Sequence, residues 1–270
     1  MTTDSDDLIR KHYQKEAEKD GDSSLSTIGE RVVREKEVAL IGRFLNILAE
    51  RSPQGGLSVL DAGCGNGYTL ETLRTQQPSL HLHGLEFTEE LYKIARNRGV
   101  SDCAVDHGDI RSTPYAGGFF DAVYTERCLI NILDAAQQEV ALREIARILK
   151  PGGHYLMLEC FNDGLDNNNK ARREMGLQDL PPAYHNRYFD QQKIFPAVSD
   201  VFDVIDPTRE AVYQSVPANF LSSHFFVARI LQPLLTKGEW VRNTEFVKFF
   251  SFLEPHGNYA PIQAYILKKK

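Results

Sequence analysis

Val59-Leu60-Asp61-Ala62-Gly63-Cys64-Gly65-Asn66-Gly67 carries more chemistry per position than any other stretch of the chain. An apolar run ends in a carboxylate, then places glycine at every second position. Glycine lets a chain turn sharply after a strand and lets backbone N–H groups approach a ligand without Cβ obstruction. These residues therefore predict a cofactor-binding turn between a strand and a helix. Their spacing separates the candidate ligands. A dinucleotide fingerprint reads Gly-x-Gly-x-x-Gly, whereas here the third glycine is Gly67 and Tyr68 stands where a nicotinamide enzyme needs a small residue.

Further carboxylates follow at strand ends. After a predicted helix from Tyr68 to Thr75, the short strand His81 to Glu86 ends in an acid about twenty residues past the glycines, the interval that presents a carboxylate to ribose hydroxyls. A helix from Glu89 to Arg98 leads to a strand at Cys103-Ala104-Val105 and on to Gly108-Asp109-Ile110. Phe119 to Thr125 reads as strand four, and Val140, Ala141, Ile145, Ile148 and Leu149 form an apolar stripe at helical spacing. Lys150-Pro151-Gly152-Gly153 reads as the stop of that helix, because lysine complements a helix C-terminus, proline ends the helix and glycine accepts the turn. Tyr155 to Glu159 is strand five.

In this order, Asp61 to Gly67, Glu86, Asp109 and Leu149-Lys150-Pro151-Gly152-Gly153 resemble the class I S-adenosylmethionine-dependent methyltransferases from about Leu57 to Glu159. The resemblance implies an α/β fold: a seven-stranded doubly wound sheet, mostly parallel with its last strand antiparallel. It also implies S-adenosylmethionine as cofactor, held at Asp61, Gly63, Gly65 and Gly67. Glu86 would bind the ribose and Asp109 the adenine amino group, with Phe87 and Ile110 flanking the ring.

Three additions to that fold are expected to build the acceptor site. Helices over Leu8 to Lys19 and Thr27 to Glu50 form an N-terminal cap, residues 1–50, in which Tyr13, Arg31 and Arg34 are candidates for the methionine end or an anionic substrate. Phe161 to Phe189 reads as a long polar loop carrying Tyr184, His185, Asn186 and Tyr188, and loops of that length in compact domains are usually functional or disordered. Between strand six (Val201 to Ile205) and strand seven (Ala260 to Leu267) lies a helical insert, residues 207–258. Its apolar helix Phe220 to Leu235 places Phe225, Phe226, Ile230 and Leu234 as core, with Ser222, Ser223 and His224 toward an acceptor. The insert serves as a lid or a homodimer surface. With Glu126, Arg127 and Asn131 after strand four and Glu159 after strand five, the pattern has a looser resemblance to bacterial polysaccharide and small-metabolite methyltransferases. That implies a polar, hydroxyl-rich or anionic acceptor.

Composition bounds the alternatives. The 270 residues fit one domain with added lid elements, and a net charge of −6 argues against a nucleic-acid footprint. Cys64, Cys103, Cys128 and Cys160 have no Cys-x-x-Cys spacing, so they read as reduced thiols without a metal site. The polar amino terminus offers neither a signal peptide nor a membrane span, which places the protein in the cytoplasm.

Transfer of an activated methyl group chiefly requires a nucleophile held in line and water excluded. If the nucleophile is a hydroxyl, a base assists; His185 ranks first and Glu159 second, ahead of Glu126, His224 and His256. The substrate-binding set is Glu126, Arg127, Asn131, Asn186, Tyr188 and His224. Tyr124-Thr125-Glu126-Arg127 replaces the Asn-Pro-Pro-Tyr of amino-methylating DNA enzymes. The expected reaction is methylation of a small polar acceptor at oxygen, with an N- or carboxylate methyltransferase or a catalytically silent cofactor-binding subunit as alternatives.

Overall fold

Val59, Leu60, Val123, Tyr124, Leu156 and Met157 are all fully buried, as central strands covered on both faces must be. The computed structural model describes residues 4–26, 28–52, 56–236 and 241–270. Its strands β1 (Ser58–Ala62), β2 (His81–Glu86), β3 (Cys103–His107), β4 (Phe120–Glu126), β5 (Leu149–Cys160), β6 (Phe202–Ile205) and β7 (Ile262–Lys269) form one sheet in the order β3-β2-β1-β4-β5-β7-β6. β7 runs antiparallel to β5 and β6, and the remaining pairs are parallel. The expected doubly wound sheet is therefore present. Its strand order reverses between β1 and β4, the switch point outside whose strand ends open α/β sheets bind ligands.

The helices are α1 (Asp4–Asp20), α2 (Arg31–Arg51), α3 (Tyr68–Gln76), α4 (Glu89–Asn97), α5 (Ala135–Ile148), α6 (Asn162–Glu174), α7 (Gln191–Ala197), α8 (Ser222–Phe226), α9 (Gln232–Leu235) and α10 (Glu245–Phe250). α2 begins at Arg31; Thr27, the expected start, lies outside the described residues. α2 buries Val33, Val38, Leu40, Ile41, Phe44 and Leu45 in the core, and two charged residues, Arg34 and Glu37, on the same buried side.

Four expectations need correction. Lys150-Pro151-Gly152-Gly153 belongs to β5, bulged between the Phe120–Leu149 and Ala122–His154 pairs. Lys150 reaches Asp121 at 2.7 Å, and the cation near the end of α5 is Lys269 of β7, 2.6 Å from the Leu149 carbonyl. The second correction is that half of the supposed polar loop is α6. Its inward positions Leu165, Asn168, Asn169 and Arg172 keep helical spacing, but the amides and arginine fill an interface of backbone groups and so leave no apolar stripe. Asn168 donates to the Tyr259 carbonyl, Asn169 to Leu180 and Arg172 to Gln178.

Third, the apolar rod expected at 220–235 is interrupted by a π-helical turn, Val227–Leu231, between α8 and α9. Its wider winding shifts the buried face to Val227, Ala228, Ile230 and Gln232. Fourth, and as a result, Leu234 is exposed rather than core. Among the described residues no helix is long and apolar enough to cross a membrane.

Candidate active site

The carboxyl ends of β1, β2, β3 and β4 open onto a cleft of about 800 Å³, its mouth included. From β1 come Gly63 and Gly65; from β2, Glu86, Phe87 and Thr88; from β3, Gly108, Asp109, Ile110 and Arg111; and from β4, Glu126, Arg127, Cys128 and Asn131. α1 crosses the mouth and lines it with Asp6, Ile9 and Tyr13, spaced so that one helix face looks into the cleft.

The glycines serve different purposes. Gly63 (φ +92°) lies against β4, and a Cβ there would sit 2.4 Å from the Cys128 sulfur. Its smallness is required by protein packing. Gly65 (φ +55°) has open space where its Cβ would be, so it borders the ligand's volume. Gly67 precedes α3 and packs against Ala95 of α4, outside the lining.

Glu86 is buried, with one oxygen accepting from Gly65 N at 2.9 Å and the other from Thr88 N at 2.7 Å. Burial raises its pKa against those two hydrogen bonds. Asp109 is held by Arg111, whose Nε reaches both its oxygens at 2.9 and 3.0 Å, and Arg111 reaches on to Asp6 of α1 at 3.1 Å. Phe87 has Arg10 4.5 Å from its ring centroid. Asp61 is buried behind the turn with Oδ1 unpartnered among the described residues, and burial, then the Glu126 carboxylate, pushes its pKa well up.

At the other end of the cleft two arginines and two glutamates pack together. Arg34 pairs with Glu126 at 2.6 Å, Thr69 donates to the same carboxylate at 2.8 Å, and Arg127 pairs with Glu37 at 2.9 Å. Burial, only partly countered by Arg127 and reinforced by Glu126, pushes Glu37 up to about 8. Burial acts in the same sense on Glu126, but Arg34 and Arg127 outweigh it and hold that carboxyl down. Arg127 has φ +58°, a conformation that costs a non-glycine residue ~1–3 kcal/mol and clusters at functional sites.

Because the fold raises the Glu37 pKa, its protonated form contributes stability that is complete below about pH 4.5 and lost as pH rises through about 8. Glu37→Gln, a neutral isostere, is expected to match the parent near pH 5. At pH 9 it should be more stable by roughly 2 kcal/mol, a fraction of the ~1.4 kcal/mol per pKa unit of an isolated site. Thermal unfolding across that range measures it; parallel curves for the two proteins would contradict it.

Several expected site residues lie elsewhere. Glu159 is fully buried, and its carboxylate accepts from the backbone N–H groups of Cys128 (3.1 Å), Leu129 (2.9 Å) and Ile130 (3.2 Å). Burial raises its pKa to about 7. It holds the turn after β4 and is not in the cleft lining. His185 stacks on His12 of α1 at 3.8 Å, with the Tyr184 hydroxyl 3.0 Å from the same imidazole, and is not in the cleft lining. Burial and His12 lower its pKa to about 4. Asn186 and Tyr188 border a separate depression between α5 and α7. Arg31 is exposed, its backbone N–H bonded to Asn243 at 2.9 Å.

His224 is buried 3.5 Å from Glu30, which also pairs with Arg229, and those partners hold Glu30 down to about 2 against burial. Ser222 and Ser223 bond the backbone at His256 and Glu254. Asp6, Ile9, Arg111, Cys128 and Glu37 were not anticipated. Glu37 alone had a legible signal, a charge on the apolar side of a helix.

Residues 59–153 match a family model described as a methyltransferase domain. The malonyl-[acyl-carrier protein] O-methyltransferase of Erwinia pyrifoliae is 31% identical over 132 residues, 48% of this chain and 47% of that protein. A demethylmenaquinone methyltransferase of Halalkalibacterium halodurans is 35% identical over 112 residues, 39% of this chain and 44% of that protein. The chain thus spans less than half the length of these curated relatives. The crystal structure of a TehB-like S-adenosylmethionine-dependent methyltransferase from Corynebacterium glutamicum superposes with a TM-score of 0.52 at 14% identity, over 96% of this chain and 99% of that one, a likeness of fold. The matched segment runs from β1 to the start of β5 and supplies the cleft's glycines with Glu86, Asp109 and Glu126, so this part of the chain is similar to a methyltransferase domain.

Proposed function

We propose that the protein transfers a methyl group from S-adenosylmethionine to a small polar acceptor, at a hydroxyl oxygen. The observation that carries the cofactor half is Gly65. Its missing side chain faces open cleft while its N–H fixes the Glu86 carboxylate at the same wall. Glu86 would hold the ribose; Ile110 and Phe87 would hold the base, with Asp109 and Arg111 at its edge. Arg127 and Tyr13 border the methionine end. The cofactor, once bound, supplies a sulfonium-activated methyl group, so the chain's task is positioning and exclusion of water. Tyr13 and Ile9 of α1 cover the cleft for that purpose.

The named activity of the Erwinia relative supports transfer to oxygen in general, since a malonyl group's free oxygens are those of a carboxylate; the hydroxyl is proposed from the polar groups Tyr13 and Asn131 in this chain's cleft. The cap over residues 1–50 and the insert over 207–258 are proposed to enclose the acceptor, a small molecule, within one domain. Neither His185 nor Glu159 is proposed as the base, since neither lines the cleft.

Calorimetry tests the reading. S-adenosylhomocysteine is expected to bind and NAD not to. Glu86→Ala should weaken the former by ~1.5–3 kcal/mol, the scale of a hydrogen bond to a charged group, and should also lower unliganded stability by ~1–3 kcal/mol, because the Gly65 and Thr88 N–H groups lose their acceptor. Preferential NAD binding would overturn the assignment.

A further inference from the structure

Asn131 ends the short turn after β4 and lines the cleft beside Arg127 and Cys128. Its Nδ2 donates to the Tyr13 hydroxyl at 2.9 Å and to the Arg127 carbonyl at 3.0 Å. A carbonyl only accepts, so that second bond fixes which way the amide points. The amide oxygen, Oδ1, is buried and has no hydrogen-bond partner among the described residues. A buried unsatisfied acceptor costs ~1–3 kcal/mol, so a ligand hydrogen bonded to this one would be favoured. The Tyr13 hydroxyl beside it accepts from Asn131 and still has its own proton to give.

The geometry points to a two-point grip on the methyl acceptor: Asn131 Oδ1 accepts a hydrogen from the nucleophilic group and the Tyr13 hydroxyl donates one to it. The inference rests on the methyltransferase reading and deepens it. Because a neutral amine that accepts from Tyr13 has no lone pair left for the methyl group, such a pair selects a hydroxyl, which arrives with its proton and keeps a second lone pair. It rejects a carboxylate, which has no hydrogen for Oδ1 and would set its charge against an amide oxygen. The pair lies at the end of the cleft opposite Asp109 and Arg111, where the methionine half of the cofactor would end. Tyr13 comes from the helix that crosses the mouth and Asn131 from the floor, so the grip is complete only with α1 in place.

Sinefungin, in which an amine-bearing carbon replaces the methylated sulfur, puts N–H donors at the position of the transferred methyl group, facing the place where the acceptor's nucleophile must stand. It therefore serves as a probe without knowledge of the acceptor. By calorimetry the parent protein is expected to bind sinefungin at least tenfold more tightly than S-adenosylhomocysteine. Asn131→Leu should erase that advantage, weakening sinefungin at least tenfold more than S-adenosylhomocysteine. Tyr13→Phe, on a partly exposed helix and so safe for folding, should reduce it about threefold.

An advantage that is absent from the parent, or unchanged in Asn131→Leu and Tyr13→Phe, overturns the inference. Equal losses for both ligands overturn it too, assigning Asn131 to the cofactor's own amino group. Failure of both ligands to bind the parent protein refutes the methyltransferase reading instead.

Discussion

Gly65→Val is expected to abolish binding of S-adenosylhomocysteine, a loss of more than ~100-fold or ~2.8 kcal/mol. Two effects of the substitution must be kept apart. The backbone at Gly65 has φ +55°, where a Cβ costs roughly 1–2 kcal/mol. That strain lowers unliganded stability. The isopropyl group itself meets no protein atom near the Cβ position and projects into the cleft, so its effect on the ligand is steric. Gly65→Asn separates the two, because asparagine tolerates a positive φ better than other side chains. It should unfold close to the parent temperature and still bind poorly. Calorimetry and thermal unfolding on all three proteins decide the matter. A valine variant that binds within tenfold of the parent would remove Gly65 from the ligand's path.

Removal of the Glu159 carboxylate should have the largest effect on stability. Glu159→Ala leaves the buried N–H groups of Cys128, Leu129 and Ile130 without their acceptor. Each orphaned group costs ~1–3 kcal/mol, and with partial relaxation the sum is expected near ~3–5 kcal/mol. For a chain of this size that corresponds to a fall in Tm of roughly 6–20 °C. Glu159→Gln keeps an oxygen but turns an amide NH2 toward one of the same donors, so an intermediate loss is expected. A Glu159→Ala protein that melts with the parent would show that the turn after β4 holds without it. A carboxylate acting as base would behave differently, costing turnover and sparing the melt.

The strands were legible because their residues answer to one cause. Continuous burial on two faces demands the apolar runs at β1, β4 and β5, and the acid or glycine near the end of each run marks the carboxyl end of the strand. The cofactor end of the cleft inherits that legibility, since Gly63, Gly65, Glu86, Asp109 and Ile110 sit at strand ends. The acceptor end did not. Glu159 looks like a strand-end acid of the same kind, and only the three-dimensional course of the turn after β4 consumes its charge. His185 has binding-loop neighbours in sequence, but its ring stacks on His12, a contact across more than half the chain that no local pattern announces. α6 was missed because hydrogen-bonding amides occupy its buried positions, and a hydropathy period sees only carbon.

α1 meets the rest of the molecule through a row of side chains: Asp6 on Arg111, Arg10 over Phe87, and Tyr13 on Asn131. Its buried apolar content is only Ile9 and Ala17. A helix so lightly anchored opens at little cost compared with the sheet. Both halves of the proposed reaction lean on it, the nucleotide pocket at one end and the nucleophile's grip at the other. A ligand that binds at either end therefore also holds α1 in place for the other, a coupling in free energy beyond the direct contact that in-line transfer requires between the two, and no strand of the sheet has to move.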